Sequence, residues 1–233
     1  GAAVALALRM LPLADGSDVG GSLRNPAAFN NVFGMRPSQG RVPTYPLPDV
    51  WMSQLGAEGP MGRTVEDVAR MLSVQAGHDA RAPLSLTDDP ARFAQPLARD
   101  LRGVRLGYLG DLDGYLALEE GVDALCRAAL PAFAALGGEV DPHARIDFAP
   151  ERLWQSWIGL RSLQTAGPLL AIDADPALRA QLKPEAQWEI DTARGMTAFD
   201  VFRAAEIRSQ WYQRVLALFE RYDFLLQPTA QVF

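Results

Sequence analysis

Lysine, cysteine and histidine are all scarce in this chain of 233 residues. Lysine occurs once, at Lys183, among 22 basic residues, a bias typical of a GC-rich genome. Cys126 is the single cysteine, so no intrachain disulfide can form, which suits a reducing, cytoplasmic compartment. Two histidines and one cysteine are too few ligands for a structural zinc site. Any mechanism that needs a lysine or a thiolate therefore has very few candidates here.

Long apolar runs and an excess of positive charge are also missing. No apolar run approaches the roughly 18 residues of a membrane span. A net charge of -6 and a pI near 5.0 disfavour nucleic acid as a partner. The opening segment GAAVALALRMLPLA has no basic residue before Arg9, so it predicts a buried helix and not a signal peptide. With 48% hydrophobic residues, the chain can bury the core of one large domain over residues 1–233.

Apolar periodicity predicts strands that alternate with helices, and hence an α/β fold. Thr64 is the expected N-cap of a helix that ends near Gly77. The later expected elements are a strand over Val104–Gly110, a helix over Gly121–Leu136, a short strand at GGEV, helices over Pro150–Ala171, Ala177–Thr192 and Ala198–Arg221, and a final strand in YDFLLQPT. The helix over Gly121–Leu136 is expected to bury Val122, Leu125, Cys126, Ala129, Leu130 and Phe133, which makes Cys126 an inert core thiol.

The segment DVGGSLRNP carries the most specific chemical signal. Two adjacent glycines before Ser22 permit positive φ, so that consecutive N–H groups can converge on one anion. Asn25 and Pro26 are expected to cap and open a helix whose positive end faces Ser22. Asp18 and Arg24 flank the loop and are placed to pair. From these residues alone, an ordinary turn with a solvated serine remains the alternative.

The longer stretch GSDVGGSLRNPAAFNNVFGMRPSQGRVP resembles the amidase signature family. Residues 16–27 and 34–43 match that family's motif G-[ST]-D-x-G-G-S-[IVL]-R-x-P-A and its continuation G-[LM]-[KR]-P-[ST]-x-G-R-[VI]-P nearly position by position. LGAEGPMGRTVEDVARML is similar to the next block, and YDFLLQPTAQVF is similar to a late strand and loop. The resemblance spans essentially the whole chain.

The resemblance implies an α/β/α sandwich around a mixed, largely parallel twisted sheet, incomplete in this chain. It also implies hydrolysis of carboxylic amides by a Ser–cis-Ser–Lys triad, with a small-molecule amide as substrate and no metal or organic cofactor. Ser22 matches the nucleophile, and the N–H groups of Val19, Gly20, Gly21 and Ser22 match the oxyanion hole. Three further positions match supporting residues, namely Ser17, Asp18 and Arg24.

The general base is the part of the triad that these 233 residues do not supply. The resemblance places the bridging serine just before the alanine-rich helix and the lysine further upstream, so both are expected before Gly1. Lys183 lies before a proline and near Glu185, which predicts an exposed position without a catalytic role. We therefore expect the chain to be the central portion of a longer enzyme.

Three alternatives stay open beside a linear amidase. A Ser-His-Asp hydrolase is disfavoured because Ser22 lacks the second glycine of G-x-S-x-G and because His78 and His143 lie in loops. The amidotransferase subunit that supplies ammonia to mischarged tRNA shares the motif, although TYPLPDVWMSQLGAEGPMGRT departs from its usual pattern. A non-catalytic remnant that binds without hydrolysing also fits a chain without a base.

Trp154 and Trp157 are the candidate pocket residues. They lie three residues apart on a predicted helix in the region where, by the resemblance, variable helices line the acyl pocket. Core packing is the alternative role for both. The sequence leaves the substrate and the oligomeric state open, a homodimer included.

Overall fold

The computed structural model describes all residues from Gly1 to Phe233 and contains two compact units. The first comprises Gly1–Arg99 together with Phe233, and the second comprises Asp100–Val232. Both combine helices with a three-stranded sheet, so the α/β prediction is confirmed. A single domain over residues 1–233 stays a prediction.

The first unit is built on an antiparallel sheet that the sequence did not predict. Its elements are α1 (Ala2–Ala7), β1 (Leu13–Asp18), α2 (Arg24–Phe29), β2 (Phe33–Gly34), β3 (Ala57–Gly62), α3 (Val65–Gln75) and a short 3₁₀ helix (Pro90–Ala94). The strand order is β1-β3-β2, and the β1–β3 register runs from Leu13 opposite Gly62 to Asp18 opposite Ala57. All strand pairs in this unit are antiparallel.

Close backbone packing explains why glycines occur in these strands. Because glycine is uncommon in strands, the sequence did not predict them. A Cβ atom on Gly59 of β3 would lie 2.3 Å from the Met35 carbonyl oxygen, and one on Gly34 of β2 would lie 2.3 Å from that of Leu23. Only glycine permits such an approach. The core beneath the sheet consists of Ala3, Leu6, Ala14, Leu23, Ala27 and Met61.

The second unit contains the parallel sheet and most of the helical residues. Its elements are β4 (Arg105–Tyr108), α4 (Val122–Ala135), β5 (Glu139–Asp141), α5 (Pro150–Asp173), α6 (Pro176–Arg179), α7 (Pro184–Gly195), α8 (Ala198–Phe219) and β6 (Phe224–Leu226). The strand order is β5-β4-β6, with both pairs parallel. None of the helices in the chain combines the length and apolar character that a membrane span requires.

Two helix predictions in this unit need correction. The helix expected over Ala177–Thr192 is two helices, α6 and α7, because Pro184 disfavours a helical conformation at Lys183, whose ψ is 147°. On α4, Val122 and Leu130 are buried as expected, but Leu125 is 63% exposed. Ala129 is also exposed, so the buried face of α4 is narrower than the apolar pattern indicated.

Helix caps stabilise a helix in each unit, and one ion cluster joins three helices of the second unit. Thr64 caps α3 by accepting a hydrogen bond from the Asp67 N–H, as predicted. Thr197 and Asp200 form a reciprocal capping box at the start of α8. The buried Asp173, at the end of α5, forms ion pairs with Arg179 and Arg194. This cluster ties the end of α5 to α6 and α7.

Candidate active site

Ser22 lies in the loop that joins β1 to α2, between two anchored residues. Its side chain is exposed, whereas Leu23 is fully buried and Gly21 is buried. The N–H groups of Gly21 and Leu23 both donate to the Asp18 carboxylate, at 2.8 Å and 3.2 Å. The loop is therefore held on both sides of Ser22 while the hydroxyl remains accessible.

Asp18 is the organising residue of this loop. It ends β1 and is fully buried, and Arg24 on α2 donates two further hydrogen bonds to it, each 2.9 Å long. The pairing of Asp18 with Arg24 that the sequence suggested is thus present. Burial alone raises the pKa of Asp18, but hydrogen bonds from Arg24, Gly21 and Leu23 outweigh it and lower the pKa from 3.8 to about 2. The carboxylate is therefore ionised throughout the physiological range.

Arg36, in the segment that follows β2, stabilises the same loop through hydrogen bonds. Its Nε donates to the Asp18 carbonyl oxygen at 3.3 Å, and its Nη2 donates to the Leu55 carbonyl oxygen at 2.8 Å. Its Nε also lies 3.7 Å from the Asp18 carboxylate. Arg36 was part of the matched motif, but its individual contacts were not anticipated. The guanidinium joins the serine loop to the segment that precedes β3.

The loop geometry modifies the expected oxyanion hole. Gly21 has φ +111°, which supports the predicted need for glycine there. Its N–H, however, is already donated to Asp18, because a buried carboxylate needs donors. The assignment of Gly21 as an oxyanion donor stays a prediction, and its hydrogen bond to Asp18 argues against it. Val19, Gly20 and Ser22 stay predicted donors on either side of it.

The start of α2 differs from the prediction. The helix begins at Arg24 with Leu23 at the N-cap, and no side chain caps it, so Asn25 is not the cap and Pro26 is the third helical residue. The Asp18 carboxylate takes the place of a local cap by accepting the Leu23 N–H. The main-chain N–H of Asn25 donates to the Gly21 carbonyl oxygen at 2.8 Å.

Ser17 is exposed on β1, opposite Glu58 on β3. Directly opposite cross-strand residues share a face of the sheet, so Ser17 and Glu58 lie on the same face. Burial, aided by the nearby Asp15, raises the pKa of Glu58. The supporting role of Ser17 stays a prediction.

The other chemically reactive residues lie in other segments of the chain. Lys183 is exposed at the N-cap of α7, in the second unit. His78 is exposed, and its Nδ1 lies 3.0 Å from the Ser85 Oγ. Cys126 is half-buried, and burial raises the pKa of its thiol, consistent with an unreactive side chain. No group of three or more His, Cys, Asp and Glu side chains is arranged to hold a metal ion.

Trp154 and Trp157 form a stacked pair on α5, with ring centroids 5.2 Å apart and an interplanar angle of 14°. They border a cleft of about 530 Å³ between α5 and α7, on which Trp188 also lies. Trp154 is 53% exposed, so it is not a core residue in this chain. Their assignment as substrate-pocket residues stays a prediction.

Comparison with known proteins gives one matching family profile and several similar curated proteins. A family profile described as Amidase matches residues 1–233. Among curated proteins, the A-type subunit of glutamyl-tRNA(Gln) amidotransferase from Deinococcus radiodurans is 44% identical over 140 residues, which is 60% of this chain and 28% of that protein. The subunit of the same name from Synechococcus sp. (strain JA-2-3B'a(2-13)) is 42% identical over 140 residues, with 60% and 27% covered.

Solved structures give a similar result. A bacterial aryl acylamidase of the amidase signature family superimposes with a TM-score of 0.87 at 27% identity, covering 97% of this chain and 47% of that one. The A-type subunit of glutamyl-tRNA(Gln) amidotransferase from Thermotoga maritima superimposes with a TM-score of 0.71 at 22% identity, covering 99% and 49%. The chain thus spans about half of these structures and under a third of the curated relatives. On the motif, the fold and the match over its whole length, the chain belongs to the amidase signature family.

Proposed function

We propose that this chain carries the nucleophile of an enzyme that hydrolyses a carboxylic amide through an acyl-enzyme on Ser22. The Ser22 Oγ attacks the carbonyl carbon, and its proton passes through a bridging serine to a neutral lysine. The C–N bond then breaks, the amine leaves with that proton, and water hydrolyses the ester to release the acid. The bridging serine and the lysine are those that the family motif locates upstream of the alanine-rich helix.

The observation that carries this proposal is the exposed Ser22 hydroxyl between two N–H groups fixed on one buried carboxylate. A nucleophile must be accessible, and its backbone must be preorganised so that nearby N–H groups meet the developing oxyanion without rearrangement. A solvated turn serine needs no such anchoring. The fully buried Asp18 and its Arg24 and Arg36 partners supply that rigidity.

Covalent labelling tests the nucleophile directly. We expect a fluorophosphonate to label the whole protein at Ser22, as mapped by peptide mass spectrometry. Ser22→Ala should abolish labelling and lower amide hydrolysis by at least ~10³-fold, the scale on which loss of a catalytic nucleophile acts. Ser73→Ala on α3, where the hydroxyl only donates to the Arg70 carbonyl oxygen, is the matched control and should label normally. An adduct elsewhere, or full activity in the Ser22 variant, would refute the assignment.

For the substrate we propose a small-molecule amide with an apolar acyl or aryl group. Trp154 and Trp157 supply stacked aromatic surface beside an apolar cleft, which suits such a group. The superposition on an aryl acylamidase is consistent with this class. Comparing kcat/KM for benzamides and short aliphatic amides of equal leaving group tests it, since a preference for the aliphatic series would contradict it.

A second candidate is a glutamine-hydrolysing component of an amidotransferase. It is favoured by the 44% and 42% identity to proteins named as the A-type subunit of glutamyl-tRNA(Gln) amidotransferase. In that case the whole protein would release ammonia from glutamine in a complex with other subunits. Glutaminase activity that appears only on addition of co-purifying subunits would favour this candidate over a free-standing amidase. Absence of both activities, with an intact fold, would instead favour a non-catalytic remnant.

A further inference from the structure

Arg36 contacts the peptide group through which the chain leaves β1 and enters the loop that carries Ser22. Since β1 ends at Asp18, the Asp18 carbonyl group and the Val19 N–H belong to one trans peptide group at this point. The Arg36 Nε donates to that carbonyl oxygen at 3.3 Å. The C=O and N–H of a planar trans peptide group point in opposite directions. A contact that fixes the carbonyl oxygen therefore also fixes the direction of the Val19 N–H.

The Val19 N–H differs from the Gly21 N–H in how it is used. The Gly21 N–H donates to the Asp18 carboxylate at 2.8 Å. The Val19 N–H makes no hydrogen bond within the chain, and its residue is only partly buried. Among the predicted oxyanion donors, Val19 thus keeps its N–H for an acceptor outside the chain, and the direction of that N–H decides whether it can stabilise an oxyanion.

The Arg36 guanidinium is itself held in place by further contacts. Its Nη2 donates to the Leu55 carbonyl oxygen at 2.8 Å, and its Nε lies 3.7 Å from the Asp18 carboxylate. Because a guanidinium is rigid and planar, these contacts also fix the direction of its Nε–H. A charged donor on a carbonyl oxygen polarises the peptide group, which makes its N–H a stronger donor. Arg36 can therefore both orient and strengthen the Val19 N–H.

We propose that Arg36 is a positioning residue for amide hydrolysis, because it aims the Val19 N–H at the oxyanion of the tetrahedral intermediate on Ser22. This inference rests on the proposed function, since that oxyanion forms only if Ser22 attacks the amide. Arg36 acts through the Asp18–Val19 peptide group and not on the substrate. An interaction made only with the developing oxyanion raises kcat and leaves substrate binding unchanged, so Arg36 should affect kcat and not KM.

Steady-state kinetics of the whole protein test this division. Arg36→Met keeps an unbranched side chain without donors and should lower kcat roughly 10- to 100-fold, with KM within about twofold. Arg36→Lys should recover part of kcat, because an ammonium can still donate to the Asp18 carbonyl. Arg63→Met is the matched control, since Arg63 also donates to two main-chain carbonyl oxygens, those of Leu6 and Leu11. A loss confined to KM, or equal kcat losses in both methionine variants, would overturn the inference.

The rate of fluorophosphonate labelling separates this inference from the proposed function. In that reaction the Ser22 Oγ bonds to phosphorus, fluoride leaves, and negative charge develops on the phosphoryl oxygen. Arg36→Met should reach the same final labelling as the wild type but at least ~10-fold more slowly, whereas Arg63→Met should label at the wild-type rate. If the wild type is labelled at Ser22 and Arg36→Met reacts equally fast, only the role of Arg36 is refuted. If the wild type is not labelled at Ser22, both proposals fail.

Discussion

Each of the two units buries a carboxylate, and the two carboxylates differ in how completely their hydrogen-bonding capacity is satisfied. Asp18 in the serine loop is fully buried and accepts four hydrogen bonds, two from main-chain N–H groups and two from Arg24. Glu189 on α7 accepts from Arg161 on one oxygen and leaves the other without a partner. One group is saturated by its own chain, and the other retains an open acceptor.

This difference separates a carboxylate whose hydrogen-bonding capacity is fully used from one whose capacity is only partly used. Every hydrogen bond that the Asp18 carboxylate accepts also fixes an atom of the loop or helix next to Ser22, so the carboxylate stabilises the loop. The open oxygen of Glu189 stabilises nothing in the chain. Four predictions test that contrast, from the largest expected effect to the smallest.

Asp18→Asn should lower the free energy of unfolding by about 3 kcal/mol, the scale for breaking a buried ion pair. The amide places an N–H₂ group where four donors converge and leaves Arg24 without its partner. Urea unfolding followed by circular dichroism measures the change. Asp100→Asn removes an exposed carboxylate from its pair with Arg102 and should have little effect. Similar destabilisation in both variants would contradict a special role for Asp18.

The stabilisation from Asp18 should be lost in acid. Because its folded pKa is depressed from 3.8 to about 2, its contribution is fully present above the ordinary pKa of an aspartate. It should fall as the pH drops from 3.8 towards 2, by ~2 kcal/mol in all. The difference in unfolding free energy between the wild type and Asp18→Asn, measured across this range, isolates the effect from other acids. A difference that stays constant with pH would refute the assignment.

Arg24→Ala should destabilise less than Asp18→Asn, by about 1.5 kcal/mol, since a hydrogen bond to a charged group contributes on this scale. The Arg24 side chain is 47% exposed, and Asp18 keeps the N–H groups of Gly21 and Leu23. The pKa of Asp18 should rise towards its ordinary value, so the loss of stability in acid should be smaller than in the wild type and should be complete at a higher pH. Arg24→Lys should restore only part of the loss, because lysine cannot reproduce the two-point contact. Full rescue by lysine would show that charge alone matters.

Glu189→Gln should change the unfolding free energy least, by about 1 kcal/mol or less. The glutamine carbonyl can still accept from Arg161, and the altered atom had no partner to lose. Thermal and urea unfolding measure the change beside Asp18→Asn. If the two variants lose equal stability, the open oxygen of Glu189 has a partner in solution and the contrast fails.

The motif and the main helices were predictable because they depend on local signals. Thr64 caps α3 through a contact three residues away, and β4 follows from the apolar run around Leu106. By contrast, β1 and β3 have the sequences LADGSD and AEGPMG, which are rich in residues typical of turns. Their pairing depends on a partner more than 35 residues away in the chain, and local propensity does not contain that information.

Within the candidate site, too, local sequence signals were not enough to predict the structure. Asn25 and Pro26 have the composition of a helix start, yet α2 begins at Arg24 because the carboxylate at the end of β1 satisfies the Leu23 N–H. The predicted oxyanion donor Gly21 is bound by that carboxylate as well. Both differences arise from the burial of Asp18, which the sequence presents only as one charged residue beside a glycine pair.

By itself, the sequence determined the family, the position of the predicted nucleophile and the need for glycine before Ser22, because these depend on residue type and spacing along one short segment. Only the tertiary structure decided how the carboxylates are used. Asp18 is saturated because a strand end, a turn and a helix converge on it. One oxygen of Glu189 stays without a partner because the packing of α5 and α7 brings it only Arg161 as a donor. Whether a buried polar group is hydrogen-bonded depends on its neighbours in space, and the fold determines those neighbours.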